Sequence, residues 1–311
     1  MSNTTQSQSA PVRASVTTRS FRNALVASTA RSFRRRRATN YVMLTLTYVA
    51  AVVATLPLMA IVWELVKIGG SSINRDFFTK LPLPIGEVGG GVVNAIAGTG
   101  LLILLSSVIG LPIGIGAGMY LADQRGKPLS NVVRFLSDVL NGLPSIVLGI
   151  FAWGLLVRPF GHFSALAGAI ALAAMMIPLV TRTTEEMILL VPVSMREAAL
   201  ALGYTRWRTS LSVVLRTALP GIVTGALVAI ARIAGESAPL LFTALGNDFW
   251  SLSPFRPIAA LPLQIYVYAL SPYEDWHAKA WASALVLLGL VLVISLAARF
   301  ATRRRFGLGG D

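Results

Sequence analysis

Six apolar stretches, each near the length of a bilayer-spanning helix, leave this chain few folds to adopt: residues 41–66, 92–121, 140–157, 163–180, 221–245 and 280–298. A helix needs about 20 apolar residues to cross the hydrocarbon core. Backbone groups in lipid must find partners within their own segment, which favours helices. Hydrophobic residues make up 55% of the chain and charged residues only 13%, well below the share of charge in a soluble domain. The expected fold is all-α: a polytopic membrane protein with six transmembrane helices, comprising one membrane domain (residues 41–301) and two tails. Residues 255–270 are also apolar, but Pro257 and Pro262 interrupt them. They read as an external loop lying on or dipping into the surface, not as a seventh span.

The basic residues test that count. With the N-terminus in the cytoplasm, 20 of the Lys and Arg residues fall on the inside and 6 on the outside, with Arg232 left within the membrane. This asymmetry obeys the positive-inside rule. It also requires an even number of spans, because both basic ends, residues 1–40 and 302–311, must share the cytoplasmic side. Residues 1–40 are rich in Ser, Thr and Arg and contain no apolar run before a cleavage site. They read as a basic, disordered tail and not as a secretory signal. Arg34, Arg35, Arg36 and Arg37 lie just before the first span, where they set topology and meet anionic lipid. The run has no interleaved aromatics, which argues against nucleic acid. The absence of Cys excludes a thiolate metal site, and His162 and His277 are isolated. No metal site, nucleophile–base pair or phosphate-cradling loop is visible, so the chain is not an ATPase by itself.

Between the fourth and fifth apolar stretches, residues 191–219 form a polar hinge. Within it, Glu197 to Leu202 are good helix formers, and Met195, Ala198, Ala199 and Leu202 fall on one small apolar face. Gly203 can adopt positive φ and end the helix. Thr205 can then cap a second helix that continues into the fifth span. The spacing predicts a narrow knob at the membrane face, fit to enter a groove in a soluble partner. In the next span, Arg232 and Glu236 are four residues apart and share a helix face. Each charge at mid-bilayer costs about 2.5–3.5 kcal/mol, so the two are expected to pair, either to fix helix packing or to act as a gate. Gly110, Pro112, Gly114, Gly116 and Gly118 kink the second span or admit a close neighbour.

Glu197-Ala198-Ala199, followed four residues later by Gly203, resembles the cytoplasmic EAA loop of ABC importer permeases. More narrowly, the chain is similar to the PstA-type permeases of the phosphate importer. The stretches carrying that likeness are Gly89-Gly90-Gly91-Val92-Val93-Asn94-Ala95-Ile96-Ala97-Gly98-Thr99, Gly142-Leu143-Pro144-Ser145-Ile146-Val147-Leu148-Gly149, Pro178-Leu179-Val180-Thr181-Arg182-Thr183-Thr184-Glu185-Glu186 and Arg232 to Phe242. Ala260-Leu261-Pro262-Leu263-Gln264-Ile265-Tyr266 favours PstA over its partner PstC. The resemblance covers roughly residues 41–301. It departs at Leu215-Arg216, where the family pattern has a Leu-Pro pair; here Leu219-Pro220 follows one turn later.

The resemblance implies the type I ABC importer permease architecture in a bacterial plasma membrane, with both termini cytoplasmic. It implies import of inorganic phosphate by alternating access, with a PstC-like permease as heterodimer partner. Two ATPase subunits would carry ATP and Mg, and an extracytoplasmic phosphate-binding protein would deliver substrate. No cofactor is expected on this chain itself. Glu197, Ala198, Ala199, Leu202 and Gly203 would couple to the ATPase. Arg232, whose guanidinium suits tetrahedral oxyanions, and Glu236 would gate the pathway. Ser145 at the start of the third span and Asn94 are candidates for its lining. Residues 89–91 either offer backbone N–H groups or form a flexible entry to the second span. Arg182, Glu185 and Glu186 are expected in the cytoplasmic frame that holds the knob. The alternatives are an importer of another oxyanion, molybdate or sulfate, and a secondary ion-coupled transporter. The latter should show inverted repeats, and no convincing repeat is seen.

Overall fold

The computed structural model describes residues 14–84, 87 and 89–306, with side chains described between Arg36 and Phe300. Residues 1–13 and 307–311, the outer parts of the two expected tails, lie outside the described residues. The chain divides after Trp63 into two units. The first is formed by one helix, α1 (Ala14–Glu64), with Pro57 inside it. A disordered tail was expected through Asn40, but the backbone is helical from Ala14. Residues 14–40 contain neither Gly nor Pro, so no helix breaker stands between them and the first span.

The second unit opens with a π turn (Leu65–Gly69), α2 (Gly70–Ser72) and α3 (Arg75–Thr79). Then come α4 (Val93–Asp123), α5 (Pro128–Gly142), α6 (Ser145–Ala152), a π turn (Trp153–Val157), α7 (Arg158–Phe160) and α8 (Ala165–Leu189). The hinge holds α9 (Val193–Ala201), α10 (Arg206–Thr209) and a π turn (Ser210–Val214), which leads into α11 (Leu215–Ala234). Last are α12 (Ala238–Thr243), α13 (Leu261–Ala269) and α14 (Glu274–Phe306).

Among the described residues five helices are long and apolar enough to cross a membrane: Arg36–Ser72, Val93–Asp123, Ala165–Leu189, Arg206–Ala234 and Glu274–Phe300. A bent pair, Pro128–Gly142 and Ser145–Phe160, meets at 106° and makes a sixth candidate if counted as one span. Leu143 and Pro144 are extended there, because a residue before proline is pushed out of the helical region. Two expected spans differ. The expected third span, 140–157, runs across the bend between α5 and α6, and the fifth ends at Ala234, not at 245. Residues 255–270 are not a span, as expected, but neither are they a surface loop. They contain α13, in which Leu261, Pro262, Leu263, Gln264 and Tyr268 are buried. Pro262 interrupts nothing, because it sits in the first turn, where its missing N–H has no helical acceptor to lose.

The core centres on the pairing of α4 with α8. Leu102 of α4, Leu172, Met176 and Val180 of α8, Ile233 of α11 and Leu240 of α12 belong to one buried cluster. Three glycines one turn apart let the two backbones approach. A methyl at Gly110 would meet Met176 at 3.0 Å, at Gly114 Val180 at 2.8 Å, and at Gly118 the Thr181 carbonyl at 2.6 Å. Gly116 faces open space. In lipid such close packing is a main source of helix association. Near the N-terminal end of α4, the buried Thr99 hydroxyl donates to the Ala95 carbonyl at 2.7 Å and accepts the Leu261 N–H at 2.8 Å. Thr99 thereby ties α13 to α4.

Candidate functional site

The hinge folds into the expected knob. Helix α9 ends at Gly203, whose φ is +85°. The Gly203 N–H donates to the Leu200 carbonyl at 3.0 Å and the Tyr204 N–H to the Ala199 carbonyl at 3.1 Å. This paired closure satisfies the last carbonyls of the helix and needs a left-handed residue at Gly203. The knob presents apolar side chains outward: Val193, Met195, Leu200, Leu202 and Trp207 are all exposed, Leu202 at 80%. Glu197 and Ala198 are exposed as well. Ala199 departs from the expected common face. It is 6% exposed, so it is turned into the chain, and α9 as a whole packs against the Ser210–Val214 π turn. Its small methyl suits that close approach, so Ala199 seats the knob instead of presenting it. Thr205 holds the N-cap position of α10, but its side chain makes no capping bond. Arg216, at the departure from the family pattern, is an exposed residue inside α11, and Pro220 is accommodated four residues further along the same helix.

A charged tie supports the knob, and a second charged cluster lies between α5 and α8. Asp123, the last residue of α4, receives Arg196 Nη1 on Oδ1 at 2.8 Å and Ser210 Oγ on Oδ2 at 2.6 Å. Sequence reasoning missed Asp123, because its partners lie 73 and 87 residues away and no local motif marks it. In the second cluster Arg134 donates to Glu185, whose other oxygen lies 3.6 Å from Arg182 Nη1, and Arg182 Nε is 3.9 Å from Glu186. Arg182, Glu185 and Glu186 thus share one charged cluster with Arg134, which joins α5 to α8.

Arg232 and Glu236 do not share a helix face, contrary to expectation. Helix α11 stops at Ala234, with Gly235 as its C-cap. The final bonds tighten to three-residue spacing, Gly235 N–H to the Arg232 carbonyl at 3.3 Å and Glu236 N–H to the Ile233 carbonyl at 3.2 Å. Pro239 then stands in the first turn of α12. Glycine weakens the helix at this point, and Pro239 has no N–H with which to continue the ladder of α11 back to the Gly235 carbonyl. Glu236 therefore lies in the break between α11 and α12. Among the described residues no ion pair joins it to Arg232, which is exposed on the surface of the chain.

Of the other candidates, Ser145 is the half-buried first residue of α6, next to the 106° bend. Asn94 is buried, and its Nδ2 donates to the Asn247 carbonyl at 2.7 Å. That bond ties the start of α4 to the loop after α12. Residues 89–91 do not present a row of free N–H groups. The Gly91 N–H donates to the Leu81 carbonyl at 3.0 Å, and Gly90 and Gly91 are buried. Gly89 and Gly90 adopt φ of +105° and +74°, so these glycines build a tight turn.

Residues 110–307 match the family of binding-protein-dependent transport system inner membrane components. Over 265 residues the chain is 46% identical to the phosphate transport system permease protein PstA of Yersinia pestis, covering 85% of this chain and 90% of that one. Over 270 residues it is 48% identical to the protein of the same description from Xylella fastidiosa, covering 86% and 93%. The chain belongs to the PstA family. Its fold matches that of a chain from a bacterial alginate ABC transporter crystallised with an alginate-bound periplasmic protein, at a TM-score of 0.62 and 16% identity, covering 89% of this chain and 98% of that one. The architecture is that of a type I ABC importer permease, a membrane-spanning subunit of a transport system. In this PstA-family chain the EAA stretch is the exposed knob α9, and the family's charged stretch falls on the break between α11 and α12.

Proposed function

We propose that this chain is the phosphate-conducting permease of an ATP-driven importer in a bacterial plasma membrane, with both termini cytoplasmic. It pairs with a PstC-like permease. Two ATPase subunits, which carry ATP and Mg, grip the two permeases from the cytoplasm, and an extracytoplasmic phosphate-binding protein delivers the anion. The observation that carries this reading is the knob: a short helix whose apolar residues face outward and whose end is fixed by Gly203. Exposed apolar surface of this kind marks an interaction site, and a helix laid in a groove is an established mode of recognition. Closure of the ATPase pair draws the knobs together and opens the spans outward, and hydrolysis resets them. Arg232, exposed beside the break after α11, supplies a planar guanidinium to the passing oxyanion.

Gly203→Trp tests the coupling. Only glycine adopts φ near +85° without cost, and a bulky ring there obstructs the knob. The expected result is loss of the ATPase on co-purification and loss of phosphate uptake. Normal assembly with normal turnover overturns the reading.

A further inference from the structure

We propose that Asp123 is a positioning residue that locks the coupling knob to the transmembrane rod α4, so that movement of the knob becomes movement of the span. The inference deepens the proposed function and rests on it. Asp123 is the last residue of α4, where a carboxylate opposes the helix dipole. Helix stability therefore does not account for it. Both of its oxygens are engaged, and they reach opposite arms of the knob: Arg196 on α9 at 2.8 Å, and Ser210, which opens the π turn leading to α11, at 2.6 Å. A single carboxylate thus bridges the arm entering the knob and the arm leaving it. Arg196 directly precedes Glu197, so the tie sits at the root of the exposed face.

The other end of α4 is fixed as firmly. Asn94 holds the Asn247 carbonyl, Thr99 holds the Leu261 N–H, and a methyl at Gly98 would overlap the Ala259 carbonyl. Along its length α4 is zipped to α8 through Gly110, Gly114 and Gly118. One helix, about 45 Å long at 1.5 Å per residue, is therefore held to the knob at one end and to α13 and its preceding loop at the other. Asp123 and Arg196 are both about a quarter exposed, at 26% each. A pair so accessible to water contributes little to folding, which makes its role in coupling separable from any role in stability.

The test uses the assembled transporter: this chain, its partner permease and the ATPase subunits, in proteoliposomes supplied with binding protein and radiolabelled inorganic phosphate. The readouts are ATP hydrolysed per phosphate imported and the yield of intact complex. Asp123→Ala and Arg196→Asp are each expected to raise the ATP-to-phosphate ratio about fivefold or more at unchanged yield. The exchanged pair Asp123→Arg with Arg196→Asp is expected to bring the ratio back towards wild type. An unchanged ratio in the single variants overturns the proposal, and so does an exchanged pair no better than either single change. A fall in yield that accounts for all lost transport also overturns it, since Asp123 would then be only a structural tie. Failure of the wild-type chain to bind any ATPase is a different result, which removes the permease reading and the clamp with it.

Discussion

Arg134 on α5 donates to Glu185 on α8, and the carboxylate it meets is almost wholly enclosed, with its side chain 4% exposed against 30% for Arg134. The two partners are therefore not equivalent. Removing the arginine strands a buried charge whose remaining cation, Arg182, is 3.6 Å away. Removing the carboxylate frees an arginine that water can still reach. Arg134→Ala is expected to cost about 3 kcal/mol and Glu185→Gln clearly less. Thermal unfolding of the purified protein in detergent ranks them. Equal losses would show that Glu185 is solvated in the native state.

The α4–α8 contact makes a sharper pair of variants. A methyl at Gly114 would meet Val180 Cβ at 2.8 Å and the Ile177 carbonyl at 3.1 Å, whereas at Gly116 nothing lies within 4 Å. Gly114→Ala overpacks the interface and is expected to destabilise by about 1–3 kcal/mol. Gly116→Ala relieves a poor helix former and is expected to be neutral or to stabilise by up to about 1 kcal/mol. The measurement is again the unfolding midpoint. If Gly114→Ala proves as mild as Gly116→Ala, close backbone approach is not what joins these helices.

Features set by local chemistry were legible in the sequence. The spans follow from apolar length, and Gly203 from its position after a run of helix formers. The glycine spacing announced a close neighbour without naming it; α8 emerged only from the fold. Misreadings arose where a tertiary contact or a break decides. Arg232 and Glu236 share a face only if the helix continues, and Gly235 followed by Pro239 ends it. Pro257 and Pro262 suggested a surface loop, but Pro262 occupies the first turn of the buried α13, whose leading N–H is satisfied by Thr99 from 162 residues away. Ala199 looked equivalent to Ala198 until its burial separated them. Asp123 carried no signal at all, because its role exists only once residues on three elements converge.

The Thr99 bond holds α13 against the N-terminal part of α4. Thr99→Val keeps the shape and β-branching of the side chain but leaves the Leu261 N–H without its acceptor in a buried setting. An unmet buried donor costs about 1–3 kcal/mol. Hydrogen exchange at the start of α13 is expected to quicken in Thr99→Val and to stay slow in Thr99→Ser, which keeps the hydroxyl. Equal protection in all three proteins would mean that α13 is held by packing alone.

The break after α11 separates two meanings of the charged stretch. If Arg232 and Glu236 were a packing pair, neutralising either would destabilise the fold. Arg232 instead lies exposed in the last turn of α11, where a cation suits the helix C-terminus, and Glu236 sits beyond Gly235. Glu236→Gln is therefore expected to shift stability by no more than about 0.5 kcal/mol, as for an ordinary surface change. Arg232→Lys keeps the charge and its relation to the helix end, so stability is again expected to hold. It gives up the planar, two-pronged donor that matches an oxyanion. If Arg232 meets the anion during passage, phosphate uptake by Arg232→Lys should fall by about tenfold, corresponding to a loss of about 1.4 kcal/mol at the step it assists. Uptake at the wild-type rate with normal unfolding would show that only the positive charge matters. A large loss of stability in either variant would instead restore the packing role that the broken helix argues against.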